Sequence, residues 1–322
     1  MVWLSGVSRS FEEAEETLAR IGGVNVSDSS VWRRVEKWGS EFQELEKAAI
    51  TAGEEPLKPE ERQQKAIQRA GNKGVAMDGA TIYIRGEGWK ELKVGCTYDI
   101  EVRPTKDKET GRWQAKAHAT HNQYVSYLGG PEPFGQLVWG LARQRDWFGV
   151  KKSIVLGDGA IWIWNLADHH FAKSEQLVDW YHATEHLGTA ARLLYGDDTP
   201  QRQAWYQAQK DLLFAGRAEE IAYHLANQAP EKPPALADDL LSEAGYFANN
   251  HQRMAYQSLQ EAGYPIGSGM VESGCKQFKA RFDGPGMRWS RAGAERLLPI
   301  RATVMGKTFD SLWEQAFRSP PN

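Results

Sequence analysis

The order of apolar and polar residues predicts a helical unit at the start of the chain. Apolar residues first recur every three or four positions, until Gly22 and Gly23 stop the pattern. The predicted apolar stripe of this helix is Phe11, Ala14, Leu18 and Ile21. A second helix follows, with the apolar stripe Val31, Val35, Trp38 and Phe42. We predict a helical unit over residues 1–49, followed at residues 50–73 by a proline-containing, highly charged linker with a solvated helix.

The periodicity then changes to that of β-strands. Three successive strands are predicted in VAMDGATIYIR, ELKVGCTYDIEVR and RWQAKAHATHNQYVSYL. The middle strand alternates apolar with polar or small residues, which predicts one buried face. Its apolar positions are Leu92, Val94, Cys96, Tyr98, Ile100 and Val102. After the helix FGQLVWGLARQRD, the short apolar runs SIVLGD and LVDWY predict two further strands, buried on both faces and separated by a short helix.

This order of elements is typical of an α/β protein with an RNase H-like mixed sheet and flanking helices. We predict this domain over residues 74–196 and 264–306. Residues 197–263, rich in Ala, Gln, Glu and Leu, predict an all-α insertion, and residues 307–322 form a predicted C-terminal tail. The N-terminal helix pair, with Arg33 and Arg34 outside its apolar stripe, is compatible with a helix-turn-helix that contacts DNA, although most such pairs are only packing units.

The composition indicates an ordinary soluble protein. The chain has 322 residues, of which 41% are hydrophobic and 25% charged, enough for a full core. It contains no apolar run near the ~20 residues that span a bilayer, and its first residues turn acidic where a signal peptide is apolar. Cys96 and Cys275 form no C-x-x-C pair. We therefore expect a cytoplasmic protein without a membrane anchor.

Charge is distributed unevenly along the chain. The formal net charge is -3 at pH 7, yet residues 265–307 contain eight basic and three acidic residues, a local excess of five positive charges. A basic segment in an acidic chain suits a polyanionic partner. A solvated helical face is the alternative interpretation, and charge alone does not decide between the two.

The stretch LVDWYHATEHL contains the zinc-peptidase signature H-x-x-E-H, formed by His182, Glu185 and His186. On a helix the two histidines would share a face and hold one Zn²⁺, with the glutamate beside them to activate water. Zinc would still need a third protein ligand. Because a pattern with three fixed positions also recurs by chance, the motif alone does not assign a zinc peptidase.

Three acidic residues support a second chemical hypothesis. Asp78 in VAMDGA lies within the first predicted strand, and Asp158 in VLGDGA lies at the carboxyl end of a later one, where α/β sheets place their ligands. An isolated Asp-Gly pair is more often a turn. Glu272 lies on a predicted helix, with Lys276 and Lys279 at i+4 and i+7. Clustered carboxylates need a cation to offset their repulsion, and two Mg²⁺ ions ~4 Å apart would support in-line attack on a phosphodiester.

With these residues the chain resembles bacterial insertion-sequence transposases of the DDE type, most closely the ISKra-type family and more distantly Mutator-like and hAT transposases. The matching segments are VAMDGA, VLGDGAIWIW, the D-x-x-H of Asp179 and His182, and GSGMVESGCKQFKARF followed by MRWSRAGAERLLPIRA. The resemblance implies that Asp78, Asp158 and Glu272 are the metal-binding triad. It also implies Mg²⁺ as the cofactor, with Mn²⁺ substituting, and His182 as an auxiliary catalytic group beside Asp179.

The resemblance further implies double-stranded DNA as the partner, both at the element ends and as the target. A homodimer or larger assembly would bring two ends together, in a bacterial cytoplasm near the nucleoid. Trp162 is predicted as a further auxiliary residue that could stack on a distorted base, although core packing is the more common role of any one of the 13 tryptophans. The expected DNA contacts are Arg33, Arg34, Lys276, Lys279, Arg281, Arg288 and Arg291. Members of the family usually carry more chain before the helix pair, so both a shortened active enzyme and a truncated remnant fit the sequence.

Two alternatives from other functional classes stay open at this stage. One is a transposase-derived repressor that binds DNA without catalysis. The other is an RNase H-like nuclease that cleaves DNA without joining strands. The zinc-peptidase hypothesis is the least favoured, because His182 already fits the D-x-x-H position of the transposase pattern.

Overall fold

The computed structural model describes residues 1–54, 71–106, 111, 113–284 and 286–318. The strands of this part of the chain are β1 (Asn72–Ile84), β2 (Gly88–Lys106), β3 (Trp113–Tyr127), β4 (Ser153–Gly157) and β5 (Glu175–Val178). They form a sheet in the order β3-β2-β1-β4-β5, in which β4 and β5 pair in parallel. Only residues 85–87 connect β1 with its neighbour β2, so these two strands run antiparallel. The chain is therefore an α/β protein with a mixed sheet, as the sequence predicts.

Helices precede, connect and follow these strands. Before the sheet lie α1 (Val2–Val7), α2 (Phe11–Gly22) and α3 (Asp28–Glu54). Between strands lie α4 (Pro131–Gln144) and α5 (Ile161–His170). After β5 follow α6 (Trp180–Tyr195), α7 (Pro200–Phe214), α8 (Ala218–Gln228), α9 (Pro234–Asn250), α10 (Tyr256–Glu261), α11 (Gly269–Phe282), α12 (Arg291–Met305) and α13 (Phe309–Arg318). Among the helices described, none is both long and apolar enough to cross a membrane.

Contacts within the chain define two compact units. The first comprises residues 1–99, 120–153 and 269–322, and the second comprises residues 100–119 and 154–268. The first unit therefore contains the N-terminal helices and α11 to α13, whereas the second contains β5 and helices α5 to α10. The predicted all-α insertion, residues 197–263, lies within the second unit and is confirmed as helical, since it forms α7 to α10.

In the first unit, helix α3 packs through its predicted apolar stripe. Val35 and Phe42 are fully buried, which confirms this part of the prediction. Helix α3 packs against α12, and Gly39 permits the close approach, because a Cβ atom there would lie 2.2 Å from the carbonyl oxygen of Arg296. The predicted stripe of α2 is wrong at its end, because Ile21 lies in the last turn of that helix and is 84% exposed.

Strand β2 departs from the predicted burial pattern. Residues 92–98 are all buried, so this part of the strand is covered on both faces, where alternation predicts one buried face. Helix α4 packs so closely on one face that a Cβ atom at Gly95 would lie 2.7 Å from Cγ2 of Val138. Val102, predicted as buried, is 50% exposed beyond this covered stretch.

The last predicted strand, LVDWY, is shorter than expected. Strand β5 ends at Val178, and Trp180 and Tyr181 already belong to α6. The helix begins here because the side chain of Asp179 accepts a hydrogen bond from the backbone N–H of His182 at 2.9 Å and so caps its first turn. The prediction that Trp180 and Tyr181 end the strand is therefore wrong, because they form the first turn of α6.

The structure describes most of the predicted C-terminal tail but little of the predicted linker. The predicted C-terminal tail contains α13, whose Trp313 packs on Trp38 of α3 with ring centroids 4.5 Å apart. Most of the predicted linker, residues 55–70, lies outside the described residues, as do residues 319–322.

Candidate metal centre

Two aspartates follow the paired parallel strands of the second unit. In the register of β4 and β5, Gly157 is opposite Val178, and the next residues along the chain are Asp158 and Asp179. The backbone N–H of Asp179 donates to the carbonyl oxygen of Gly157 at 2.7 Å. Parallel strands end at a common edge of the sheet, where α/β proteins place their ligands. The predicted location of Asp158 directly after a buried strand is confirmed.

The carboxylate of Asp179 is fully buried and holds two backbone segments. Its Oδ1 accepts the N–H of His182 at 2.9 Å, and its Oδ2 accepts the N–H of Ser268. A backbone bond from the N–H of Trp180 to the carbonyl of Ile266, 3.0 Å long, fixes the same two segments. The side chain of Asp179 therefore connects the start of α6 with residues 266–268.

Asp179 also belongs to a candidate metal-binding group. Asp179 and His182, both in the second unit, each offer one ligand atom, and these two atoms lie within 4.8 Å of each other. Asp179 is buried and His182 is half-buried. Carboxylate oxygens suit Mg²⁺ and Mn²⁺, and an imidazole nitrogen is a common ligand for transition metals. Neither Asp78 nor Asp158 is a member of this group.

The sequence indicated these two residues unequally. His182 was predicted as catalytic, whereas Asp179 was expected only to accompany it. The D-x-x-H spacing is the signal that could have revealed its position, because an aspartate at a helix N-cap is placed three residues before the residue whose N–H it accepts.

Asp78 and Glu272 both lie in the first unit, on elements that pack against each other, β1 and α11. Asp78 is half-buried, and its Oδ1 accepts the N–H of Gly79 at 2.7 Å. Glu272 lies in the first turn of α11, with its Oε2 3.8 Å from the Nζ of Lys276.

The cations predicted to contact DNA differ in exposure. Arg33, Arg34 and Arg288 are exposed. The side chains of Lys276 and Lys279 are 80% and 51% exposed. These positions are compatible with contacts to phosphates. The predicted auxiliary residue Trp162 is half-buried in α5.

Two of the predicted DNA contacts are engaged within the first unit. Arg291 donates to the carboxylate of Glu87, and this hydrogen bond raises the pKa of Arg291 above its usual value. Arg281 is 1% exposed and donates to the carbonyls of Ser5 and Arg9 at 3.1 and 3.2 Å. Burial lowers the pKa of Arg281 to about 10. The expectation that Arg281 contacts DNA is therefore corrected, because its guanidinium binds backbone carbonyls at and after the end of α1.

The H-x-x-E-H motif is helical, as expected, but its two histidines have different partners. The Nδ1 of His182 is 3.7 Å from Oε2 of Glu185. The Nδ1 of His186 is 2.7 Å from Oε2 of Glu243, and the ring of His186 stacks on Tyr246 with centroids 3.6 Å apart. The candidate metal-binding group includes His182 without His186. The geometry therefore does not support a zinc site that uses both histidines.

Comparison with known proteins does not assign the chain to a family. No protein-family model matches the chain. A search of curated proteins likewise found no match. The function has to be inferred from the residues of the site and from the sequence motifs.

Proposed function

We propose that the protein is a DDE-type transposase of a bacterial insertion sequence. It binds the ends of its element, cleaves them, and joins the freed 3′-hydroxyls to target DNA. The observation that carries the proposal is that Asp158, Asp179 and His182 follow the ends of the paired strands β4 and β5, at positions that match the transposase motifs. An RNase H-like arrangement of the sheet is part of the proposal, and the α/β class with a mixed sheet supports it.

In this proposal Asp78, Asp158 and Glu272 hold Mg²⁺ ions, for which Mn²⁺ can substitute. Carboxylate oxygens are the ligands that these hard cations prefer. Bound metal ions would activate a water or a 3′-hydroxyl and stabilise the leaving oxygen of a phosphodiester. The chain contributes negative charge on rigid elements, because Asp78 lies within β1 and Asp158 directly follows β4.

Asp179 and His182 support the three acids in different ways. The buried carboxylate of Asp179 fixes the first turn of α6 through the N–H of His182. This bond places His182 at the start of the helix, beside the strand end that precedes it. We assign its imidazole as an auxiliary ligand, since it belongs to the candidate metal-binding group.

DNA binding is assigned to the exposed cations. Lys276, Lys279 and Arg288 would contact phosphates from the C-terminal segment, and Arg33 and Arg34 from the N-terminal helix pair, which we propose as the helix-turn-helix. Such contacts release counterions, so DNA affinity should fall steeply with salt. Two element ends must meet during transposition, and we therefore propose a homodimer or larger assembly in the bacterial cytoplasm.

The test is an assay of the purified chain with labelled DNA that carries the ends of the element around this gene. Parallel reactions contain Mg²⁺, Mn²⁺, Zn²⁺ or EDTA. We expect cleaved ends and joined strands in Mg²⁺ or Mn²⁺, and neither product in EDTA. Cleavage without joining would indicate a nuclease instead. Specific binding without cleavage in any metal would indicate a non-catalytic repressor.

A further inference from the structure

The turn that carries Asp158 has an unusual backbone. Gly159 has a φ of +110°, a conformation that residues with a Cβ atom rarely adopt. A Cβ atom at this position would also lie 2.8 Å from the ring atom Cε2 of Tyr246. The Oδ1 of Asp158 accepts the N–H of Ala160 at 2.8 Å, which closes the turn. The direction of the Asp158 side chain therefore depends on the shape of this turn and on the ring packed against it.

Tyr246 also holds the turn by a direct hydrogen bond. Its hydroxyl donates to the backbone carbonyl of Asp158 at 2.9 Å. Tyr246 lies on helix α9 of the predicted insertion. Its side chain therefore connects this helix with the end of β4, both by a hydrogen bond and by packing.

Two further side chains hold Tyr246 in place. On one side the ring of His186 is stacked on the tyrosine ring, with an interplanar angle of 19°, and its Nδ1 lies 2.7 Å from Oε2 of Glu243. One turn further along α9, the buried Asn250 accepts a hydrogen bond from Nε1 of Trp164 at 3.1 Å, which ties the helix to α5. This arrangement gives a role to the second histidine of H-x-x-E-H, which the proposed function leaves unused.

We propose that Tyr246, supported by His186, is a positioning residue that fixes the carboxylate of Asp158 for metal binding. The inference rests on the proposed function, in which Asp158 is a metal ligand. Side chains that orient a ligand without touching the metal commonly change metal affinity tenfold or more when they are replaced. The insertion would then be needed to shape the metal centre as well as to extend the protein.

The test is Mn²⁺ binding to the full chain without DNA, measured from the electron paramagnetic resonance signal of the free ion. Tyr246→Phe removes only the hydroxyl and should weaken Mn²⁺ binding roughly tenfold. The matched control is Tyr223→Phe on the neighbouring helix α8, where the tyrosine is 72% exposed. The control should bind Mn²⁺ as the wild type does. Asp158→Asn is measured beside them and should weaken binding further.

A second pair of variants distinguishes positioning from a general loss of packing. His186→Phe keeps a ring against Tyr246, whereas His186→Ala removes it. We expect Mn²⁺ affinity to stay close to that of the wild type in His186→Phe and to fall in His186→Ala. Equal affinities in these two variants would contradict the supporting role of the stacked ring.

The outcomes separate this inference from the proposed function. If Tyr246→Phe binds Mn²⁺ as tightly as the wild type while Asp158→Asn binds it weakly, Tyr246 does not position the ligand, and the metal role of Asp158 stands. If Asp158→Asn also binds Mn²⁺ normally, Asp158 is not a ligand, and both the proposed metal chemistry and the inference fail at this residue.

Discussion

Replacement of Asp78 by Asn is expected to reduce Mg²⁺-dependent cleavage of element-end DNA to the level seen in EDTA. Asp78→Asn keeps an oxygen that can accept the N–H of Gly79, the bond present at 2.7 Å, so strand β1 should keep its shape. It removes the negative charge that a hard cation requires from this ligand. Binding of the same DNA should change by less than about twofold, because phosphate contacts come from cations on other elements.

The measurement compares single-turnover cleavage with DNA affinity in a polarisation assay. Asp310→Asn is the matched control, because Asp310 is exposed in the first turn of α13. It should cleave and bind as the wild type does. A parallel loss of cleavage and DNA binding in Asp78→Asn would contradict the separate roles assigned to the acid and to the cations.

Replacement of Asp179 is expected to have the largest effect on stability. Its buried carboxylate accepts two backbone N–H groups, those of His182 and Ser268. Asp179→Ala removes the helix cap and leaves both donors without this partner, at a cost of about 3 kcal/mol in the free energy of unfolding. Asp179→Asn keeps one acceptor oxygen and should lose about half as much.

Urea-induced unfolding measures this difference through the shift of its midpoint at constant slope. Asp239→Ala, at an exposed position of α9, is the control and should leave the midpoint unchanged. If Asp179→Ala unfolds at the same urea concentration as the control, the carboxylate does not hold the two segments together.

Local patterns in the sequence were sufficient for most elements of the fold. The strand containing Asp78, the buried strand before Asp158 and the helix carrying Glu272 all follow from the spacing of nearby apolar residues. The second helix of the N-terminal pair is another example, since its apolar stripe is buried as predicted, apart from the half-buried Trp38. These features depend on the few residues around each position, and the sequence displays those residues directly.

Features that depend on distant partners could not be predicted in this way. Arg281 has the appearance of a surface cation on an amphipathic helix, yet it is buried and donates to the distant carbonyls of Ser5 in α1 and of Arg9 after that helix. Tyr246 lies 88 positions from Asp158, and nothing in either local pattern links them. In β2, alternation suggested one covered face because the sequence does not show that Phe134 and Val138 of α4 meet Gly95.

The partners of the H-x-x-E-H side chains could not be predicted from the sequence either. Its spacing places His182 and His186 one turn apart on α6, as a zinc site requires. Tertiary packing then directs His186 to Glu243 and Tyr246, while His182 belongs to a different group of candidate ligands. Spacing therefore predicted the helix correctly but not the partners of its side chains.

The most direct test of the central claim is a change of metal preference at Glu272. We would measure cleavage of element-end DNA by the wild type and by Glu272→Cys, in Mg²⁺ and in Cd²⁺, with Glu261→Cys at an exposed position as the control. A thiolate is a poor ligand for Mg²⁺ and a good one for a soft cation. The account predicts that Glu272→Cys is inactive in Mg²⁺ and regains cleavage in Cd²⁺, while the control keeps wild-type activity in Mg²⁺. Unchanged Mg²⁺-dependent cleavage by Glu272→Cys would contradict the claim that this carboxylate holds the catalytic metal.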